Sequence, residues 1–211
     1  MANAAPNYVF PVEGCSVKFS QAHHDYAATD ILAKRGCQFV SPVNGVIDEI
    51  ALVDKWSGKT NLGNDRGGLS ISIIGEDGVR YYASHFSKID TSVAYVGAKV
   101  IAGQKLALVG NSGSARGTSP HVHFGISWPT EKDTWWVRRG MVNPFKYLKS
   151  WQDGKDLSAA AEVEKMKLKV GTIPAKPKKY LFNRRNFFPT FTIPRIDKRG
   201  LHINDIYRLA K

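Results

Sequence analysis

The sequence predicts a mainly β protein, an antiparallel sheet or sandwich, followed by an irregular basic C-terminal arm. Three observations predict it. Leu69, Ile71 and Ile73 alternate with Ser70 and Ser72, the two-residue period of a half-buried strand. Turn clusters such as Gly75-Glu76-Asp77-Gly78 separate the strand-like runs. Before about residue 145 no stretch carries a convincing helical apolar stripe.

The elements follow in order. Phe39 to Val53 is strand-like but broken by Pro42 and Asn44-Gly45, which predicts a tight turn inside it. Val79 to Phe86 lies just after the Gly75–Gly78 turn cluster and completes a hairpin. Gln104 to Val109 and His121 to Ser127 are further strands, separated by the glycine-rich segment Gly110 to Pro120. Leu157 to Val170 predicts a short helix without a clear apolar face. Beyond it Pro174, Pro177, Pro189 and Pro194 break every candidate element. The reading is a domain over residues 1–150 and a Pro- and aromatic-rich extension over 151–211, which acts as a docking arm.

With 211 residues, 43% of them hydrophobic and 23% charged, the chain has the balance of a soluble globular protein with one sizeable core. It contains no run of about 18 consecutive apolar residues that could span a membrane. The net charge is +12, but from Ser158 onward thirteen Lys and Arg face four Asp and Glu, a balance of +9. The remainder carries +3. The charge therefore belongs to the tail. Met1 to Phe10 lacks the basic stretch and apolar core of a secretory leader. Either a leader has been removed or the protein reaches its workplace by another route. Cys15 and Cys37 fit a disulfide closing a loop around His24 and Asp30, or two buried free thiols; two cysteines do not decide between them.

Five of the six histidines form three clusters: His23 and His24, His85, and His121 with His123. On a strand, residues two apart point to one face, so His121 and His123 share a face while Val122, Phe124 and Ile126 fill the other. A single buried histidine is usually structural, whereas three clusters with a nearby Asp point to a metal. Catalytic zinc takes three nitrogen or oxygen ligands and keeps an open position for water. Two histidines and Asp30 meet that rule, provided the chain between His24 and Asp30 turns back. Spacing leaves open which of His121 and His123 is the ligand.

The segments His24-Asp25-Tyr26-Ala27-Ala28-Thr29-Asp30-Ile31, Tyr82-Ala83-Ser84-His85-Phe86, Gly110-Asn111-Ser112-Gly113 and Pro120-His121-Val122-His123-Phe124 together resemble the M23 metallopeptidases, the lysostaphin-like endopeptidases of bacterial peptidoglycan. Gly36 to Gly45 resembles the family strand between the first two motifs, and Asn143-Pro144 its closing element. The resemblance runs in order over about residues 8–150. It implies a lysostaphin-like fold and one zinc ion held by His24, Asp30 and His123, with His85 and His121 as the catalytic pair. It also implies peptidoglycan peptides as substrate, either glycine bridges or D-alanyl links to a diamino acid. One feature departs from the family form: five residues separate His24 from Asp30 where three are common, and Ala27 stands where a related variant has proline. His23 is accordingly the alternative ligand. The loop Gly110 to Pro120, with Ser112, Ser114, Arg116, Thr118 and Ser119, walls the expected cleft.

Two other classes of function compete. One is a catalytically weak wall-binding or structural assembly protein that carries the domain, although every expected ligand and both catalytic histidines are present. The other is nucleic-acid binding by the basic tail, whose Tyr180, Phe182, Phe187 and Phe188 supply stacking residues. A protein partner for the arm is the favoured reading. It fits an extracytoplasmic enzyme, either secreted to the wall or carried on a virion such as a phage tail tip.

Overall fold

The structure, a computed structural model, describes residues 7–21, 23 and 26–176. Among the described residues ten strands form two antiparallel sheets. The larger has six: β2 (Thr29–Leu32), β10 (His121–Ser127), β6 (Arg80–Ser84), β5 (Ser70–Gly75), β4 (Gly45–Ala51) and β8 (Lys99–Val100), in that spatial order. The smaller places β1 (Val12–Glu13), β3 (Gln38–Val40), β9 (Lys105–Leu108) and β7 (Lys88–Ile89) side by side. The expected strands are present, including His121–Ser127 with the bounds read from sequence. At the β5–β6 hairpin the Asp77 carboxylate accepts from Val79 N at 3.1 Å, and Gly78 takes a left-handed φ of 74°.

Alternation decides what each face of the larger sheet does. Ile31, Ile71, Ile73, Tyr81, Ala83, Val122, Phe124 and Ile126 point to one side, where they join Phe39, Phe86 and Leu106 in a single hydrophobic cluster. The opposite face carries Ser70, Ser72, Arg80, Tyr82, Ser84, His121, His123, Gly125 and Ser127, as the cross-strand pairings require. Ser70 and Ser72 are themselves buried, so β5 is covered on both sides rather than half-buried. The cover is polar. Arg80 donates to Asp48 Oδ2 (2.9 Å), Glu49 Oε2 (2.7 Å), Ser72 Oγ and the Arg138 carbonyl. Arg138 donates in turn to Asp48, Glu49 and the Thr130 carbonyl, which fastens the segment after β10 over this face. Alternation foretells which way a serine points, but not what long-range loop will lie on it.

Two helices were not expected: α1 (Trp135–Arg138), a four-residue helix ahead of residue 145 that is too short to leave an apolar period in the sequence, and α2 (Phe145–Gln152). Next comes α3 (Ala160–Val170), inside the expected Leu157–Val170. The boundary expected at residue 150 falls within α2, and the compact unit continues to Pro177. Trp151 is buried and stacks on Tyr8 at 5.5 Å, while Ala159 and Val163 enter the core. The chain after α3 returns over two tryptophans: Trp128 Nε1 donates to the Thr172 carbonyl (2.8 Å) and Trp136 Nε1 to that of Pro174 (2.9 Å). A buried indole N–H needs such an acceptor, and this one comes from the expected arm. Residues 151–176 thus pack on the body, and the rest of the expected arm lies outside the described residues. No helix among the described residues is long and apolar enough to cross a membrane.

Cys15 and Cys37 are bridged, with Cα atoms 6.0 Å apart. The bond closes a 22-residue separation that contains His23 and Asp30. Lys18 and Leu32 exchange backbone hydrogen bonds within it (2.8 and 3.0 Å), which tie the loop to the edge of β2. Replacing both cysteines by serine is expected to cost roughly 3 kcal/mol through the freed loop entropy of the unfolded chain. Denaturant titration of oxidised protein beside the Cys15→Ser/Cys37→Ser variant measures this, and equal midpoints would show that the bridge carries no stability.

Candidate active site

The pairing of β10 with both neighbours assembles the site. On one side His123 lies opposite Asp30 of β2, and on the other it lies opposite Ser84 of β6. Directly opposed residues hold their Cβ atoms about 4.5–5.5 Å apart, so side chains on one face meet. His123 Nδ1 is 3.0 Å from Asp30 Oδ1, and His23 Nε2 is 3.8 Å from the same oxygen. One ligand atom from each of His23, Asp30 and His123 lies within 4.8 Å of the other two. Tetrahedral zinc with bonds of about 2.0–2.2 Å would hold its donors roughly 3.3 Å apart, so the three atoms fit one ion.

Each member is oriented from behind. His23 Nδ1 is 3.0 Å from the Tyr26 carbonyl oxygen, which directs Nε2 towards the cluster. Tyr26 Oη is 3.1 Å from His123 Nε2, which leaves Nδ1 of that ring for Asp30 or an ion. Burial works to raise the Asp30 pKa, but the hydrogen bond with His123 and the charges of nearby imidazoles outweigh it. The carboxyl is therefore held well below the ordinary carboxylate range, ready to ligate as an anion. The expected ligand His24 lies outside the described residues, and the alternative named beside it, His23, is the histidine found with Asp30 and His123.

His85 and His121 stand next to this cluster. Their ring centroids are 5.0 Å apart, and His85 is 6.1 Å from His123. His85 Nδ1 donates to the Ser112 carbonyl and His121 Nδ1 to the Ser119 carbonyl, both at 2.8 Å. A neutral imidazole that donates from Nδ1 must carry its lone pair on Nε2. Both rings thus present an acceptor nitrogen, and both are set by carbonyls of the loop between β9 and β10. Burial pushes the His85 pKa well below the usual imidazole value, with further lowering by His123 and His121 against the opposing Ser112 bond. His85 also has a left-handed φ of 72°, a costly conformation for a side-chain-bearing residue. It is fixed by two backbone bonds, His85 N to the Gly67 carbonyl (3.0 Å) and Ser112 N to the His85 carbonyl (3.4 Å).

The loop that supplies those carbonyls is tied to the segment before β5. A Cβ on Gly68 would lie 2.3 Å from Gly113 N, so the two chains touch backbone to backbone. Asp54 Oδ2 accepts from Gly113 N (2.8 Å) and from Arg116 Nε (3.0 Å). Ser112 Oγ accepts from Leu69 N, and Ser114 Oγ donates to the Arg66 carbonyl. The loop residues expected to wall the cleft thus also hold its backbone in shape. Sequence reasoning missed Tyr26 and Asp54 as supports. Tyr26 sits inside the first quoted motif and could have been flagged there, whereas nothing in the sequence links Asp54 to Gly113, 59 positions away.

The sequence profile of peptidase family M23 matches residues 24–135. Among solved structures, a lytM protein of Ruminococcus gnavus assigned as a glycyl-glycine endopeptidase aligns at 21% identity and a TM-score of 0.53. The alignment covers 72% of this chain and 62% of that one, so the chain spans under two thirds of its length. The catalytic domain of lysostaphin from Staphylococcus simulans aligns at 24% identity and a TM-score of 0.46, over 68% of this chain and 94% of that one. A protein from Pseudomonas aeruginosa assigned as peptidase M23 gives 22% and 0.48, over 69% and 53% respectively. At these identities the likeness is one of fold, carried by the first of the three. No curated protein sequence matches.

His85 is expected to stay neutral, with its proton on Nδ1, at a pH where a free imidazole (pKa about 6.5) is half protonated. As pH falls through that range the unfolded chain gains a proton that the folded chain refuses, so stability falls with falling pH. Nitrogen NMR of the histidine side chains tests this; an imidazolium signature for His85 near that pH would contradict it.

Proposed function

The chain belongs to peptidase family M23, and on that premise we propose that it is a zinc-dependent endopeptidase hydrolysing peptide cross-links of bacterial peptidoglycan. The observation that carries the reading is the convergence of His23, Asp30 and His123 beside two histidines whose Nε2 atoms carry the lone pairs. We assign the metal to Asp30, His123 and one histidine of the His23–His24 pair, with His23 favoured by its 3.8 Å approach to Asp30. Zinc, when bound there, supplies an acidified water and polarises the scissile carbonyl.

The chain's own residues do the rest. Asp30 contributes an anion without needing a high pH. His85 and His121 divide two tasks: one accepts the attacking water's proton at Nε2 and returns it to the leaving amine, while the other, in the form that also carries a proton on Nε2, donates to the oxygen of the carbonyl under attack. Their Nδ1 bonds to Ser112 and Ser119 keep each ring from rotating and fix which nitrogen meets substrate. The end of the polar face at His121 offers the peptide a floor, since the segment after β10 covers that face from Gly125 onward. From its sequence alone, we further propose that the basic aromatic segment from Lys178 onward docks on a protein partner. A phage tail that delivers the enzyme to the wall is one such setting, and secretion to the wall is the other.

Alanine at Asp30 or His123 is expected to abolish stoichiometric zinc, read by elemental mass spectrometry of the purified protein. His23→Ala should do the same while His24→Ala retains the metal; the reverse result would move the ligand to His24. His85→Ala and His121→Ala should keep zinc and lose about 10²–10⁴ in wall hydrolysis. Wild-type turnover in either would remove it from the catalytic pair. Mass spectrometry of muropeptides released from walls of several chemotypes identifies the cross-link that is cut.

A further inference from the structure

Two neighbouring arginines sit in contrasting environments. Arg138 is fully employed by Asp48, Glu49 and the Thr130 carbonyl. Arg139 is only 7% exposed, yet its guanidinium makes no ion pair or hydrogen bond among the described residues. Its one recorded partner is the Trp135 ring, whose centroid is 5.6 Å from the guanidinium carbon. A buried charge that meets no counter-charge in the protein is costly to keep, and this one lies against an aromatic face.

Its place in the fold is next to the chemistry. The Arg139 carbonyl presses on β10 at Gly125, where a side chain would come within 1.8 Å of it. Gly125 lies two residues beyond His123 on the same sheet face, about 7 Å along the strand. Gly140 abuts the carbonyl of Ala27, where a Cβ would be 2.3 Å away, and Ala27 follows the Tyr26 that supports His123. Trp135 is braced in turn by Gly63, where no side chain would fit. The Arg139–Gly140 backbone is therefore fastened from both sides, against the β10 position two residues from His123. Asp48 and Glu49, the carboxylates of the adjoining network, are engaged by Arg80 and Arg138.

We propose that Arg139 binds a carboxylate of the peptide substrate, fixing how the cross-link lies across the site. The guanidinium fork matches a carboxylate by two parallel hydrogen bonds, which a lysine in the same place would not supply. The proposal rests on the peptidase reading for the nature of its ligand, but its test does not require turnover. The probe is a cell-wall stem tetrapeptide, Ala-γ-D-Glu-Lys-D-Ala, as the free acid and with its carboxylates amidated. Calorimetric titration of the full chain is expected to show the acid bound at least about tenfold more tightly than the amide, the scale of one charge-assisted pair. Arg139→Gln should erase that preference with zinc content unchanged, and Arg139→Lys should restore it only in part. Equal binding of acid and amide by the wild type, or a preference that survives Arg139→Gln, overturns the proposal. Should the Gln variant fail to fold, the wild-type comparison decides alone. Wall hydrolysis without any preference removes Arg139 and leaves the peptidase reading; preference without hydrolysis does the opposite.

Discussion

Everything at the site depends on the register of β2 against β10. With Asp30 across from His123, carboxylate and imidazole meet on the polar face. A slip of one residue would bring Thr29 or Ile31 into that position and turn Asp30 into the core, because side chains alternate strictly. The other edge of β10 has its own consequence, since pairing Ser84 with His123 delivers His85 one step past the end of β6. There the chain bends into a left-handed residue and hands the imidazole back towards the cluster. The apolar side of the same strand protects this arrangement: Val122, Phe124 and Ile126 are completely buried and resist any shift.

The floor of the site is expensive to build. Its far end buries Arg80 among Asp48, Glu49 and Ser72, and burial lowers that guanidinium's pKa against the pull of the carboxylates. Asp48 Oδ1 is left without a hydrogen bond among the described residues. Such networks add little stability compared with apolar packing. What this one adds is attachment, since Arg138 and the Thr130 carbonyl belong to the segment that caps the floor. On the other flank Asp54 does the same for the loop that orients His85 and His121. Walls and floor are thus joined by charge-assisted hydrogen bonds, while the apolar core determines only the position of the sheet.

The strands were legible because their signals are local. The Ile71–Ser72–Ile73 alternation, the Gly75–Gly78 turn and the shared face of His121 and His123 all lie within a few residues. Helix α1 was not, since four residues hold barely one turn. The burial of Ser72 was hidden for another reason: it lies against Arg80, whose guanidinium is held by the Arg138 carbonyl 58 positions further on. The first candidate metal-binding motif was legible as chemistry but not as geometry. Adjacent histidines give one composition and two ways to turn towards Asp30, and only the backbone path between them decides. Asp54 shows the same limit, a polar residue in a polar stretch until Gly113 arrives beside it. Tyr26 lies inside the first motif, but a phenol that aims a ligand rather than binding the metal leaves no spacing signal of its own.

The return of the chain over Trp128 and Trp136 bears on where this protein can be cut or joined. A piece ending at residue 150 would keep every histidine of the cluster yet strip both indoles of their acceptors at Thr172 and Pro174. It would also remove Ala159 and Val163 from the core. The family match ends at residue 135, whereas the last of these packing contacts comes from Pro174, 39 residues further on. Grafting this hydrolase onto a new targeting module calls for a seam after Lys176, where the last indole is already capped.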